Sequence, residues 1–192
     1  MALLRQIPKT ENGNRFILGL DGLSRSGKTT LGDELSKHFK VLNIPFHVFH
    51  MDDHIVVREN RYNTEYEPWI EYYHLQWDIE WLSQNFFKQL KTARQIHMPF
   101  YDTDSDTQSF QSVLLPSTCI ILIEGVFLQR EEWRDYFDTV VYLNCTREKR
   151  FLRENHDTQM NLHKLQHRYW KAEEFYLMNE FPMDKANLVL QG

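Results

Sequence analysis

Gly22 to Thr29 reads Gly-Leu-Ser-Arg-Ser-Gly-Lys-Thr, and no other stretch limits the fold as tightly. It satisfies G-x-x-x-x-G-K-[ST], a phosphate-binding loop that works only between a strand and a helix. Both flanks comply. An apolar run, Phe16–Leu20, precedes it, and Leu31, Leu35, Phe39 and Leu42 follow at helical spacing through about Val41. Gly22 and Gly27 permit backbone angles and a close approach that a side chain would block. The amides of the loop, through Ser24, Ser26, Gly27, Lys28, Thr29 and Thr30, then face an anion together with the positive end of the helix. Lys28 has the reach for the β- and γ-phosphates, and a hydroxyl at Thr29 suits Mg²⁺. The expectation is a nucleoside triphosphate site, with ATP and Mg²⁺ as cofactors. A glycine turn that matches by chance is the competing reading, and the two flanks weigh against it.

Strands alternate with helices along the rest of the chain, which predicts an α/β three-layer sandwich around a mainly parallel sheet. Arg15–Leu20, Phe46–Met51, Cys119–Ile123, Thr139–Leu143 and Leu188–Leu190 are the expected strands, several apolar enough to be buried on both faces. Trp69–Leu90 reads as mostly helical, with Asp78 as a cap, and a further helix is expected from Val126 to about Phe137. Thr146–Glu154 reads as a basic helix. Leu162, Leu165, Tyr169, Ala172 and Tyr176 then suggest one long amphipathic helix. Ile96–Tyr101 and Phe110–Leu115 flank Asp102–Thr107, a hairpin insertion. That acidic tip lacks the glycine and distal glutamate of a calcium loop, so a solvated turn is expected.

At 192 residues the chain is expected to be one domain, with residues 1–14 as a lead-in and about 146–160 as a helical lid. A net charge of −5 gives no basic footprint for nucleic acid. No apolar stretch has the length of a membrane span or of a signal-peptide core, so the expected location is cytoplasmic. Cys119 and Cys145 fall in or beside predicted strands, where buried free thiols are expected.

A phosphate loop does not by itself distinguish a kinase from a GTPase or a motor. No Asn-Lys-x-Asp guanine-reading sequence is present, and the strand Ile120–Glu124 ends in a lone glutamate followed by Gly125. Asp52 stands at the end of another strand. Two carboxylates at strand ends beside the loop suit one metal site and one base for an attacking hydroxyl. Helix capping by Asp52 and a strand-end turn at Glu124 are the plain alternatives. Arg147, Arg150 and Arg153 recur every third residue and so share roughly one helix face, either a charge-neutralising lid or a solvated basic surface. His163 and His167 have zinc-compatible spacing but no third ligand in sequence, so they read as ordinary histidines.

In order along the chain, Gly27-Lys-Thr-Thr30, Asp52, Trp77-Asp78, Met98-Pro-Phe-Tyr-Asp102, Ile121-Leu-Ile-Glu-Gly-Val126, the basic helix and Lys185-Ala-Asn-Leu-Val-Leu190 resemble the uridine kinase and nicotinamide riboside kinase branch of the phosphate-loop kinases. The resemblance implies Asp52 as catalytic base with a water-mediated link to the metal and Glu124 as a metal-associated glutamate. It likewise implies Asp78 as the ribose-holding acid, Tyr101 against the base, and Arg150 and Arg153 as lid arginines. Trp77 and Arg168 fall in substrate-side positions. The histidine that reads the pyrimidine in uridine kinases has no counterpart in Thr103–Asp106, and the lid lacks an Arg-Gly element. The expected activity is transfer of a phosphoryl group to a primary hydroxyl, foremost the 5′-hydroxyl of a nucleoside. A vitamin precursor or sugar as acceptor is the alternative among enzymes. A non-catalytic nucleotide-binding regulator is the alternative from another class. The sequence does not specify the oligomeric state.

Overall fold

The structure is a computed structural model and describes residues 13–192; all of the expected lead-in except residues 13 and 14 lies outside the described residues. Five parallel strands form the sheet in the order β2-β5-β1-β6-β7, with β1 Arg15–Asp21, β2 Phe46–His50, β5 Cys119–Gly125, β6 Thr139–Asn144 and β7 Leu188–Gln191. Every residue of β5 is buried, as a central strand covered on both faces requires. Alternate side chains separate into two cores. Leu18, Leu20, Ile120, Leu122 and Val141 pack with Leu31, Leu35 and Phe39 of helix α1, Lys28–Val41. Ile17, Ile121, Ile123 and Tyr142 join an aromatic core on the other face with Tyr72, Tyr73, Trp77, Phe127 and Tyr176. Burying one such side chain stabilises by roughly 1.5–3 kcal/mol, so the two layers hold the strand ends in place.

The helical layer is more broken than the periodicity predicts. Trp69–Leu90 forms two short helices, α2 Pro68–His74 and α3 Ile79–Asn85. The break falls where Asp78 begins a new helix by accepting a bond from the Trp81 N–H at 3.0 Å. The antiparallel hairpin, β3 Gln95–Asp102 and β4 Thr107–Leu114, is longer than expected. Its tip is a turn in which Asp102 accepts bonds from Asp104 and Ser105.

The helix expected from Val126 to about Phe137 is absent; the segment is a series of turns with one 3₁₀ turn at Arg134–Tyr136. The start of the segment is fixed by a positive φ and by distant side chains instead. Leu128 N–H donates to Asp21 and Gln129 N–H to Tyr176, while Phe127 adopts a positive φ of 62°. The basic segment gives α4 Arg147–Leu152 and α5 His156–Met160. The long amphipathic helix is continuous in direction but not in type: α6 Leu162–Lys164 runs through a π segment, Leu165–Trp170, into α7 Lys171–Glu180. The π segment turns both Leu165 and Arg168 inward. A short α8, Pro182–Lys185, leads into β7. Cys119 and Cys145 are buried and free. No helix among the described residues is long and apolar enough to cross a membrane.

Candidate active site

The loop between β1 and α1 is shaped by three positive φ angles, Gly22 at 150°, Arg25 at 61° and Gly27 at 105°. A side chain at Gly22 would meet Ser26 Oγ at 2.7 Å and the Leu143 carbonyl at 2.8 Å, so this position tolerates only glycine. Gly27 begins α1 with no side-chain cap, and the first turn carries no acid. The helix start therefore keeps its unpaired amides and its partial positive charge.

A cleft of about 970 Å³ opens over this loop. Ser24, Gly27, Lys28, Thr29 and Thr30 line it from below, Asp52 and Glu124 from the strand ends, and Arg150 and Arg153 from α4 and its end. Gly22 and Ser26 are buried and do not line the cleft. Lys28 Nζ rests on the Leu23 carbonyl at 3.0 Å. Burial lowers its amine from the ordinary value, opposed by the fields of Asp52, Glu124, Asp21 and Glu173.

Asp52 stands on a 3₁₀ turn, Met51–His54, one step beyond β2. Its side chain is exposed to the cleft. Desolvation raises its carboxyl above the ordinary aspartate value; Lys28 opposes that rise, while Glu124 and Asp53 add to it. Asp52 and Lys28 thus share one cleft and feel each other's charge.

Glu124 supplies the test of a metal. Its Oε1 accepts from Thr29 Oγ1 at 2.9 Å and contacts His50 Nδ1 at 2.6 Å. Its Oε2 is buried with no partner among the described residues. An orphaned carboxylate oxygen beside a hydroxyl at the start of α1 suits a hard divalent cation such as Mg²⁺. Among the described residues no group of three His, Cys, Asp or Glu side chains stands at metal-holding distance. A cation here would complete its shell with water and phosphate oxygens, as Mg²⁺ usually does.

The three arginines of α4 and its end diverge. Arg147 pairs with Glu174 at 2.8 Å and lies over the Trp170 ring. Arg150 is buried and fully engaged: with Glu173 at 2.8 and 2.9 Å, with the Ser24 carbonyl at 3.1 Å and with the Cys145 carbonyl at 3.2 Å. Arg153 donates to the Arg25 carbonyl at 3.0 Å, and Arg25 pairs with Glu154 at 3.0 Å. The segment expected as a lid is therefore fastened to the loop at Ser24 and Arg25.

The other expected substrate-side residues do not line this cleft. Trp77 is buried and donates Nε1–H to the Met51 carbonyl at 2.8 Å, supporting the turn that carries Asp52. Asp78 is exposed at its cap. Arg168 is buried and paired with Glu71 at 2.6 Å. Tyr101 lines an adjoining pocket.

Two contributors escaped sequence reasoning. Asp21, wholly buried under the loop, accepts from Gly22 N–H at 2.8 Å, Gln129 Nε2 at 2.9 Å and Tyr176 OH at 2.5 Å. Glu173 accepts from Ser24 N–H at 3.2 Å as well as from Arg150. The available signal for Glu173 was an acid inside the apolar stripe of Tyr169, Ala172 and Tyr176.

A phosphate loop at the end of a central parallel strand, with carboxylates at neighbouring strand ends and two arginines lining the same cleft, is the site of a nucleotide-dependent small-molecule kinase. The chain belongs to the Phosphoribulokinase / Uridine kinase family, whose pattern matches residues 17–159. A uridine kinase of Staphylococcus haemolyticus (strain JCSC1435) is 28% identical over 144 residues, which cover 73% of this chain and 67% of that one. A uridine kinase of Macrococcus caseolyticus (strain JCSC5402) is 28% identical over 142 residues, 71% of this chain and 66% of that one. The chain thus spans about two thirds of the length of these relatives. A solved structure of a possible uridine kinase from Bacillus stearothermophilus is 48% identical, covers 98% of this chain and 94% of that one, and superposes with a TM-score of 0.85.

Proposed function

We propose that the protein transfers the γ-phosphoryl group of ATP, with Mg²⁺, to a primary hydroxyl of a small molecule, foremost the 5′-hydroxyl of a nucleoside. The observation that carries this reading is the convergence of Lys28, Thr29, Glu124 and Asp52 on one cleft. Lys28 and the amides at the start of α1 hold the triphosphate. Thr29 and Glu124 hold Mg²⁺, which when bound neutralises charge on the phosphates. Asp52 orients the acceptor hydroxyl and takes its proton as the oxygen attacks phosphorus. Arg153, which lines the cleft and pairs with no carboxylate among the described residues, meets the transferring group. Arg150 holds the loop and lid in register.

The test is ADP release across a panel of nucleosides, sugars and other primary alcohols, with the phosphorylated product identified by mass. Phosphorylation of a nucleoside at its 5′-oxygen is the expected result. Tight ATP binding without transfer to any acceptor would favour a non-catalytic regulator.

A further inference from the structure

Beside the main cleft, and sharing Ile55, Thr103 and Lys164 with it, lies a second pocket of about 590 Å³. Three cations line it, Arg58, Arg61 and Lys164, against a single acid, Glu59. Arg61 is the unusual member. It is 5% exposed, yet its guanidinium pairs with no carboxylate among the described residues. Its Nε donates to the Val56 carbonyl at 2.7 Å and one terminal nitrogen to Tyr101 OH at 3.1 Å. Tyr101 in turn donates to Asp106 at 3.0 Å, the only carboxylate this chain of bonds reaches. The guanidinium carbon lies 5.0 Å from the Tyr62 ring centre and 5.2 Å from that of Tyr101. Lys164 approaches the same Tyr62 ring at 5.3 Å. Elsewhere in this region the protein does neutralise what it buries: Arg168, whose guanidinium carbon lies 3.9 Å from the Tyr62 ring centre, has Glu71.

Burying a cation without a counter-ion is costly, and tyrosine rings offset only part of that cost. The residues it shares with the cleft, Ile55, Thr103 and Lys164, lie outside the phosphate loop and α1. From this we infer that the phosphoryl acceptor carries its own negative charge, a carboxylate or phosphate, seated between Arg61 and Lys164 with the rings of Tyr62 and Tyr101 beside it. This rests on the small-molecule kinase reading of the main cleft and narrows its substrate to anionic alcohols. Arg58 contributes less, since its head donates to the Thr103 carbonyl at 2.7 Å and its backbone amide to Asp106.

The experiment is direct binding by calorimetry to Asp52→Asn protein, so that it does not depend on turnover. Two pairs of probes keep a primary hydroxyl and differ in one anionic group: orotidine against uridine for a carboxylate, and ribulose 5-phosphate against ribulose for a phosphate. The expected result is a preference of about tenfold or more for the anionic member of at least one pair, the size of a charge-assisted contact. The pair that shows it identifies the anion. That preference should shrink to within about threefold in Lys164→Met, an exposed position, and in Arg61→Gln, and should weaken with added salt. Equal or absent binding of both members in both pairs, or a preference unchanged in the two variants, overturns the inference. Turnover of a neutral nucleoside by the wild type, with no anion preference, would leave the kinase reading standing and remove this one alone.

Discussion

Arg150 and Glu173 close a two-pronged ion pair, Nη1 to Oε1 at 2.8 Å and Nη2 to Oε2 at 2.9 Å, with both side chains almost wholly out of water. The pair also grips Ser24 from both sides, Glu173 through its N–H and Arg150 through its carbonyl. A helix late in the chain thereby sets the shape of a loop near its beginning. Removing one partner leaves the other charge buried and uncompensated. Glu173→Ala should therefore cost about 3–5 kcal/mol in urea unfolding. A loss below about 1 kcal/mol, the range of an exposed pair, would show that the two groups are not held together out of water.

Asp52→Asn should lower turnover by roughly two to four powers of ten, the range for losing a general base. Nucleotide binding should survive, because Lys28 and the loop amides are untouched. The raised Asp52 carboxyl adds a pH signature. The base form is the working form, so the acid limb of kcat/KM should lie above the ordinary aspartate value of 3.8. Turnover within threefold of wild type would take Asp52 out of this role.

Glu124→Ala should raise the Mg²⁺ concentration for half-maximal rate by about ten- to hundredfold. The removed carboxylate holds the orphaned Oε2 and the partner of Thr29 Oγ1. Nucleotide binding measured in EDTA should stay the same or tighten, since one negative charge near the phosphates is gone. An unchanged Mg²⁺ dependence would place the metal elsewhere.

His54 links stability to pH. It is buried, its Nδ1–H donates to the Pro99 carbonyl at 2.7 Å, and its ring sits edge-on to Phe100 at 4.8 Å. Burial lowers its pKa from 6.5, so just below that value the unfolded chain binds the extra proton and the folded chain does not. Its contribution is present above pH 6.5 and is lost as the pH falls toward the folded-state value. His54→Asn keeps an N–H donor and removes the titration. The variant should melt lower at neutral pH but lose less between about pH 7.5 and 5.5 than the wild type does. An equal acid loss in both proteins would assign the effect to other groups.

Where the phosphate-loop motif falls, and between which strand and helix, was legible in the amino-acid sequence alone, because such a loop is a local device. Its glycines, its lysine and its flanking periodicities lie within one short stretch, and backbone sterics and hydrogen bonding act over that same range. The parallel strands were legible for a related reason: runs apolar at every position have few places to go except the middle of a sheet. Local pattern failed where distant groups competed for the backbone. A helix is expected over Val126–Phe137, but a positive φ at Phe127 and the bonds of Leu128 and Gln129 to Asp21 and Tyr176 set its start otherwise. Trp77 stood beside a suspected substrate acid, yet its indole supports the Asp52 turn from within the core. Only tertiary structure paired Arg150 with Glu173 and, among the described residues, left Oε2 of Glu124 without a partner and buried Arg61 without a carboxylate. Those facts depend on which charges the fold brings out of water together, and sequence spacing carries no record of that.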